Sequence, residues 1–439
     1  MVTIKDSVHD HIRIDGVAAD LLDTPAVQRL RRVSQLGTVT LVYPSANHTR
    51  FEHSLGVYHL ASRALDHLGI EGTRADRIEA AAILHDVGHA PFSHNVESLL
   101  YRHTGKYHDD VADLVAAGAV GDVLRDHDLD PDRIAELIAG EGRYAGLISG
   151  ELDVDRMDYL VRDAHHTGVP YGTIDTGRLV RELTFVDDTL VLDEGNVQTA
   201  ESLLLARALM NPVVYTHHVA RISKAMLRRA TARLLETPDV TAETVRRMDD
   251  HELIVALRRT EAAQPIVDRY DRRDLYKRAV WAEYDDVPDA VRDADHERVR
   301  ELEREIAAAA GPDAATAGPD PATTGPDPAT TGPDPATTGS DPAADVDDVD
   351  VILDVPPEPS MRESTSRVTV NGEIRRLGDQ SPLVSALRTA QRNQWRLGVY
   401  CPAPLTDRVG RAAADVLGLD PDSLISDVRR GLETTLDEY

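Results

Sequence analysis

The chain has 439 residues, of which 41% are hydrophobic and 28% charged, with 76 acidic side chains against 48 lysines and arginines. A formal net charge of −28 repels polyanions, so the composition disfavours nucleic acid as a partner unless a local basic groove overrides it. The sequence lacks the roughly 20 uninterrupted apolar residues that a membrane helix needs, and its first residues lack the basic-then-apolar pattern of a signal peptide. We therefore expect a cytoplasmic protein without a membrane partner.

The cysteine and lysine contents restrict the metal ligands that the chain can offer and indicate the kind of organism it comes from. Cys401 is the only cysteine, which excludes an intrachain disulfide and a thiolate-rich metal site, so any metal must be held by histidine and carboxylate. Lysine occurs only four times. This acidic, lysine-poor composition resembles that of proteins from salt-loving microbes, in which salt screens the self-repulsion of the surface.

Apolar residues keep a helical spacing through most of residues 1–310, which predicts a domain built as an all-helical bundle. Glycines punctuate this domain at positions where helices would end, namely at residues 69, 88, 105 and 168. The apolar residues with this spacing are Leu55, Val57, Leu60, Ala64 and Leu68, then Ile78, Ala82, Ile83 and Val87, and later Leu203, Leu204, Val213, Val214 and Val219.

Two further segments follow the helical domain. Residues 311–348 contain a seven-residue repeat of Gly-Pro-Asp-Pro-Ala-Thr-Thr that lacks apolar positions, which predicts an extended, disordered linker instead of a coiled coil. Residues 349–439 contain strand-like runs at 351–353 and 366–375, the latter with an Asn371-Gly372 turn, and a helical pattern at 408–417. We predict a small α+β C-terminal domain.

Polar residues of unusual types are concentrated in four short segments of the helical domain. They occupy residues 48–57, 84–94, 108–109 and 153–159. A His-Asp pair directly follows the apolar run from Ala81 to Leu84, where burying these side chains without a partner would be costly. A bound group must therefore compensate them.

A divalent metal ion is the compensating group that these residue types favour. Imidazole nitrogens and carboxylate oxygens bind borderline or hard cations and leave positions open for water and a phosphate oxygen. Several helices of a bundle can direct such side chains at one interior point. We predict that the ligands are His53, His85, Asp86 and Asp155. Each of them alone would more often be an ordinary core or surface residue, and the set suits Mn, Fe, Ni, Co, Zn or Mg without choosing among them.

These motifs and their order resemble the HD-domain phosphohydrolases. More narrowly, they are similar to the branch of dNTP triphosphohydrolases that contains the vertebrate SAM-and-HD-domain enzyme and bacterial relatives. The resemblance implies a mainly α fold, with an HD-domain helical bundle at 1–310 and the small α+β domain after it, and it assigns the metal to the same four ligands. The motifs are Gln28-Arg29-Leu30-Arg31, Arg50–Val57, His85–His89, Pro91–His94, Asp153–Tyr159 and Arg162–His166.

The resemblance also implies which residues surround the phosphates. Arg50 matches a phosphate-contacting position, which suits a planar donor of two parallel hydrogen bonds. His89, His94 and His108 match histidines near the phosphates, one of which would protonate the departing oxygen while another positions water. Glu97, three residues after His94, matches an acidic residue that orients this histidine.

Other matched residues would contact the nucleoside or the phosphate chain. Gln35, Tyr159 and Asp163 match sugar-contacting positions, with the tyrosine filling the space that a 2′-hydroxyl would need. Arg207 and Tyr215 lie in the region that lines the same pocket, as does His217, although helix packing explains Tyr215 and His217 almost as well. Two features depart from the family: Arg156 replaces a lysine, and Asn211-Pro212 replaces a basic, histidine-containing pattern.

The N-terminal segment carries a further resemblance. Asp23, Gln28 and Arg31 match part of an effector-nucleotide site in the vertebrate enzyme, and packing at a subunit interface is an equal alternative. The basic residues expected just before Asp6 are missing. Relatives form dimers or tetramers, so we expect a homo-oligomer.

The function implied is metal-dependent hydrolysis of a nucleoside triphosphate, most specifically of dNTPs to deoxynucleoside and triphosphate. Two alternatives stay open: an HD-type nucleotidase or cyclic-nucleotide phosphodiesterase, and a catalytically weak nucleotide sensor. The product of the reaction distinguishes the first alternative, and loss of hydrolysis with retention of nucleotide binding in a ligand variant excludes the second.

Overall fold

A computed structural model describes residues 1–186, 189–311, 346–359, 366–421 and 424. Most of the predicted linker at 311–348 lies outside these residues. Contacts between Cα atoms divide the chain into two units, the first formed by Met1–Asp274 and Pro359–Gln391 and the second by Leu275–Glu358 and Arg392–Tyr439. The second unit thus begins before residue 310, and residues 359–391 belong to the first unit, which differs from the division expected from composition.

Helices are the main elements among the described residues, as the sequence predicts. They are α1 (Gly16–Leu22), α2 (Pro25–Arg29), α3 (Arg50–Leu68), α4 (Thr73–Leu84), α5 (His94–Thr104), α6 (Ala112–Val115), α7 (Gly118–Asp126), α8 (Pro131–Ile138), α9 (Val154–Thr167), α10 (Thr176–Arg181), α11 (Val197–Met210), α12 (His218–Leu235), α13 (Ala242–Arg247), α14 (Asp250–Arg259), α15 (Gln264–Asp271), α16 (Asp289–Arg292), α17 (His296–Ala309), α18 (Leu377–Gln380), α19 (Pro382–Gln394) and α20 (Thr406–Leu417).

Short strands accompany the helices. They are β1 (Val2–Asp6), β2 (Asp10–Ile14), β3 (Leu183–Val186), β4 (Thr189–Leu192), β5 (Lys277–Glu283), β6 (Ile352–Asp354), β7 (Arg367–Val370), β8 (Glu373–Arg376) and β9 (Arg396–Cys401). The fold is therefore mainly α with small sheets, and strands occur in the C-terminal part as predicted.

The first unit is a helical bundle flanked by two small sheets. Strands β1 and β2 form an antiparallel hairpin, and a second sheet has the strand order β3-β4-β7-β8. Within it, β7 and β8 form the hairpin that the Asn371-Gly372 turn predicts. The structure thus adds the pairs β1–β2 and β3–β4 to a domain expected to be all-helical. The core lies among α1, α3, α4, α8, α9 and α11.

The helices that carry the polar segments have clear start and stop signals. Helix α3 begins with a capping box in which the Thr49 backbone N–H donates to Glu52 Oε2 at 2.7 Å. It ends at Gly69, and α5 and α9 end at Gly105 and Gly168, all three in the left-handed conformation. Gly88 instead lies in the turn after α4, where a Cβ would meet the His108 carbonyl oxygen at 2.0 Å.

The second unit has its own sheet and core. Strand β9 is central, with β5 and β6 antiparallel on either side. Helices α17 and α20 pack together and against this sheet, and the unit's core is formed by residues such as Ile306, Leu397 and Val409. Among the described residues, no helix of either unit is long and apolar enough to cross a membrane.

Candidate functional site

The four predicted metal ligands converge in the interior of the first unit. His53 lies in the first turn of α3, His85 and Asp86 directly follow α4, and Asp155 is the second residue of α9. His53 Nε2 is 2.9 Å from Asp155 Oδ1 and 3.3 Å from His85 Nε2. Asp86 adds oxygens 3.4 Å from His85 Nε2 and 3.8 Å from His53 Nε2. Residues distant in sequence therefore present their ligand atoms to one another.

The donor chemistry of this cluster fits a divalent cation. His85 Nδ1 is 2.9 Å from the Ala82 carbonyl oxygen, which can only accept, so this nitrogen carries the proton. His53 Nδ1 is likewise 2.8 Å from Asp158 Oδ2. With Nδ1 of each ring directed at an acceptor, the two Nε2 atoms face each other beside carboxylate oxygens, so acceptor atoms oppose one another. A shared cation resolves this opposition, and imidazole with carboxylate is a common ligand set.

The charge around His53 favours a cation as well. Burial lowers the pKa of this imidazole, but hydrogen bonds to Asp155 and Asp158 outweigh the burial and raise the pKa to about 10. His53 and Asp158 are fully buried. The carboxylates thus give the cluster an excess of negative charge. A metal ion bound there would replace the proton that His53 holds when no metal is bound.

Arg50 lies against this cluster. Its Nη1 donates to both oxygens of Asp86, at 3.0 and 3.1 Å, and its Nε donates to Ser93 Oγ at 2.8 Å. Burial raises the pKa of Asp86, but the Arg50 charge and the neighbouring histidines hold it well below its usual range. The guanidinium therefore lies close enough to act on a group bound at Asp86.

A second cluster contains the histidines that the family resemblance places near phosphates. Glu97 Oε2 lies 2.7 Å from His94 Nδ1, and Glu97 Oε1 lies 2.5 Å from His108 Nδ1. His89 stacks on His108 with ring centroids 4.2 Å apart, and its Nε2 is 3.2 Å from Asp86 Oδ1. Asp86 therefore connects the two clusters. The Glu97 carboxylate occupies Nδ1 of both partner imidazoles, which leaves their Nε2 atoms for other contacts.

The surroundings give the two Glu97 partners opposite proton affinities. Burial lowers the pKa of His94, and the contact with Glu97 compensates only in part. Burial also lowers the pKa of His108, but hydrogen bonding to Glu97 outweighs it and raises the pKa above its usual value. His108 therefore keeps its proton to higher pH than His94 does.

A single cavity of about 410 Å³ brings most of the predicted residues together. From the metal and phosphate sets it is lined by Arg50, His85, Asp86, His89, His94, His108 and Asp155, and from the nucleoside set by Gln35, Tyr159, Asp163, Arg207 and Tyr215. Gln35 is 6% exposed and its buried Oε1 has no hydrogen-bond partner among the described residues. An unsatisfied amide oxygen on a cavity wall is a candidate contact for a ligand.

Asp163 is held from two sides at this wall. His48 Nε2 lies 2.8 Å from one oxygen, and the Tyr215 hydroxyl donates to the other at 2.9 Å. Tyr215 comes from a π-helical turn, Asn211–Tyr215, between α11 and α12. Burial raises the pKa of Tyr215 well above its usual value, so the phenol keeps its proton.

Several predicted residues lie elsewhere. Arg156 is not among the residues that line the cavity, and its guanidinium contacts the Gly150 carbonyl and Asp153. Of the predicted effector residues, Arg31 Nε donates to Gln28 Oε1 at 2.9 Å and the guanidinium stacks on the Phe51 ring at 3.5 Å. Asp23 is exposed at the end of α1.

The cavity wall also includes residues that the sequence did not single out. Lys224 of α12 lies on it, as do Asn95 and Ser149. Asn211 lines it too, although it departs from the pattern expected there. Lys224 is one of only four lysines in the chain, but its position within an ordinary helical pattern gave no signal.

Comparison with known proteins agrees with the fold. The family described as HD domain matches residues 50–163, and the HD associated region matches residues 174–317 and 341–427. The uncharacterized protein MJ1154 of Methanocaldococcus jannaschii is 30% identical over 411 residues, which cover 92% of this chain and 79% of the relative. This chain therefore belongs to the HD domain family of phosphohydrolases and carries the family's associated region.

Two further comparisons concern a relative with a named activity and a solved structure of similar fold. A protein of Dictyostelium discoideum named deoxynucleoside triphosphate triphosphohydrolase SAMHD1 homolog is 31% identical over 246 residues, which are 51% of this chain and 48% of that protein. The chain thus spans about half the length of this relative. The crystal structure of a phosphohydrolase from Bacteroides thetaiotaomicron superposes with a TM-score of 0.66 at 24% identity, over 92% of this chain and all of that chain, which shows a shared fold.

Proposed function

We propose that this chain hydrolyses dNTPs to a deoxynucleoside and triphosphate. The observation that carries the proposal is the cavity, whose wall combines His85, Asp86 and Asp155 of the His/Asp cluster with other polar groups. These groups are Arg50, the Glu97-bound histidines, Gln35, Asp163 and Tyr215. A volume of about 410 Å³ falls in the usual range of small-molecule sites. The named dNTP-hydrolysing relative supports the choice of substrate.

The phosphates would bind where positive charge is concentrated. Arg50 would donate to phosphate oxygens from its place beside Asp86, and protonated His108 would add a second cationic donor. A divalent cation held by His53, His85, Asp86 and Asp155 would act as a Lewis acid on the phosphate oxygens. Fixed charges that neutralise the developing negative charge lower the barrier of phosphoryl transfer.

The two histidines bound to Glu97 supply the proton transfers. Water adds to the α-phosphorus while neutral His94 accepts its proton, and the bond from phosphorus to the 5′-oxygen breaks while His108 donates a proton to that oxygen. The sum of these steps is deoxynucleoside plus triphosphate. The opposite pKa shifts of His94 and His108 support this division of roles.

The nucleoside would bind at the part of the cavity wall that Gln35, Tyr159 and Asp163 form. The sugar 3′-hydroxyl would donate its one proton either to Asp163 or to the unsatisfied Gln35 oxygen. Tyr159 would fill the space of a 2′-hydroxyl, and burial raises its pKa to about 12, so its ring stays uncharged. Selection of deoxyribose over ribose would follow from this packing.

The test is product analysis with a panel of metals. Purified protein is incubated in buffers of high ionic strength with Mn, Mg, Ni, Co, Fe or Zn and each of the four dNTPs and NTPs, and products are separated by ion-exchange chromatography. We expect deoxynucleoside and intact triphosphate. Orthophosphate as the product would indicate a nucleotidase, and absence of turnover with nucleotide still bound would indicate a sensor. Opening of a cyclic nucleotide offered in parallel would indicate a phosphodiesterase.

A variant identifies the site that performs the reaction. His85→Ala removes one imidazole of the His/Asp cluster, and we expect loss of turnover with retained nucleotide binding. His127→Ala is the matched control, since His127 pairs with Asp20 at the surface. Full turnover in His85→Ala would contradict the proposed site.

A further inference from the structure

The N-terminal hairpin β1–β2 reaches the His/Asp cluster through its turn. Asp6 ends β1, and its Oδ1 accepts from the backbone N–H groups of Val8 at 2.9 Å and His9 at 2.8 Å, which fixes the turn. The side chain of His9 is 8% exposed and its Nε2 lies 2.6 Å from Asp158 Oδ1. The N-terminal hairpin thus contacts α9, although His9 and Asp158 are 149 residues apart in the sequence.

Asp158 is the residue that transmits this contact to His53. Its Oδ2 accepts from His53 Nδ1 at 2.8 Å and from Arg162 Nε at 2.8 Å, and its Oδ1 accepts from His9 and from Arg162 Nη2 at 3.0 Å. Both oxygens of this fully buried carboxylate are therefore held by donors. The carboxylate cannot turn without breaking these bonds, so it fixes the orientation of the His53 ring.

Arg162 connects Asp158 to the hairpin, because it donates hydrogen bonds to both Asp158 and Asp6. This side chain is fully buried, and its Nη1 donates to Asp6 Oδ2 at 2.8 Å. The backbone leaves room for the arrangement because residue 56 is glycine. A Cβ there would lie 1.8 Å from Asp158 Oδ1 and 2.5 Å from Arg162 Nη2. Glycine at position 56 thus leaves the space on α3 that the Asp158 carboxylate occupies.

We propose that His9 is a positioning residue for the metal site: by donating to Asp158, it fixes the carboxylate that orients His53. Hydrogen-bond partners behind a metal ligand set the ligand's direction and basicity, and their loss commonly weakens metal affinity about 10- to 100-fold. This inference rests on the proposed metal site at His53, His85, Asp86 and Asp155. It does not depend on the identity of the nucleotide.

The test measures metal affinity directly. Metal-free protein is titrated with Co²⁺, followed by the visible absorption of the bound ion and by elemental analysis, and the Tm of each metal-free variant is recorded. We expect His9→Phe to bind Co²⁺ about 10- to 100-fold more weakly. His9→Gln should recover most of the affinity, because its amide N–H can take the place of Nε2–H. His11→Phe is the control, since the His11 side chain is 59% exposed on the same hairpin.

Each outcome decides between a positioning and a merely structural role. Wild-type affinity in His9→Phe overturns the proposal, and so does a His9→Gln variant as weak as His9→Phe. If His9→Phe does not fold, His9→Ala provides the comparison, and unchanged Co²⁺ affinity in that variant overturns the proposal. A wild-type protein that binds no Co²⁺ overturns the metal site itself. Turnover without the predicted nucleotide products would leave these affinities unaffected.

Discussion

Glu97 shows at the scale of one residue how burial and hydrogen bonding give two neighbouring histidines opposite pKa shifts. One carboxylate holds two imidazoles, yet the pKa of His94 is lowered by burial while that of His108 is raised by Glu97. The burial of Glu97 raises its own pKa, but its two histidine partners outweigh the burial and keep the group ionised. The sequence could place the acidic residue near His94 but could not show that His108 shares it.

Glu97→Gln should move the alkaline limb of the pH–activity profile to lower pH. Activity in the proposed mechanism needs protonated His108, and it is lost as the pH rises through this group's pKa. Without the carboxylate, burial remains as the largest influence and lowers that pKa. The measurement is kcat/KM from pH 5 to 10, with an expected loss of about 10²–10⁴-fold at the optimum. Glu136→Gln, which changes a surface partner of Arg133, is the control.

An alkaline limb that stays in place in Glu97→Gln would contradict the assignment of His108 as the acid. A limb that moves in Glu136→Gln as well would show that a general change of charge is responsible.

At the scale of elements, the loop between α4 and α5 is the segment whose shape the site requires. Phe92 and Ser93 adopt positive φ angles of 55°, which is unfavourable for residues with side chains. Asp250, at the start of α14, accepts from the backbone N–H of Phe92 at 2.6 Å and from that of Ser34 at 2.9 Å. Ser93 Oγ in turn accepts from Arg50. A helix distant in sequence therefore fixes the loop that positions Arg50.

Asp250→Ala should destabilise the protein and slow turnover. The substitution leaves the buried N–H of Phe92 and the half-buried N–H of Ser34 without their partner, at up to about 1–3 kcal/mol each, and releases the strained loop. The free energy of unfolding, measured by urea denaturation, should fall by about 2 kcal/mol or more. Asp268→Ala is the control, because Asp268 is exposed and accepts from Gln264 on the surface of α15. Equal stability of the two variants would contradict the role of Asp250.

The net charge of −28 acts at the scale of the whole molecule. Like charges on one chain repel each other, and this repulsion destabilises the compact state unless salt screens it. The paired charges in the site interior are shielded from this effect, since groups such as Arg162 and Asp158 are fully buried. Salt should therefore change global stability more than the local geometry of the site.

The Tm should rise substantially between 0.05 and 2 M KCl, because the Debye length falls from about 14 Å to about 2 Å over this range. Differential scanning calorimetry at constant pH measures the effect. A variant with several exposed aspartates replaced by asparagine, including Asp23 and Asp268, should show a smaller rise. A Tm independent of KCl would contradict the interpretation of the acidic surface.

The sequence by itself determined that the chain is mainly helical, that strands occur near its C-terminus, and that it resembles the HD-domain phosphohydrolases. Helical periodicity and glycine stop signals are local, so they can be read without the fold. The same holds for the Asn371-Gly372 hairpin. The ligand set could be proposed because His-Asp after an apolar run needs a compensating group wherever it lies.

Only the tertiary structure decided which groups meet. The pairing of β3–β4 with β7–β8 and the contact of His9 with Asp158 join residues far apart in sequence, and the shared carboxylate of Glu97 joins residues of two different segments. Periodicity carries no information on such partners, because long-range pairing follows from packing of the whole unit. The pKa differences between the histidines have the same origin, since burial and neighbouring charge exist only after the chain has folded.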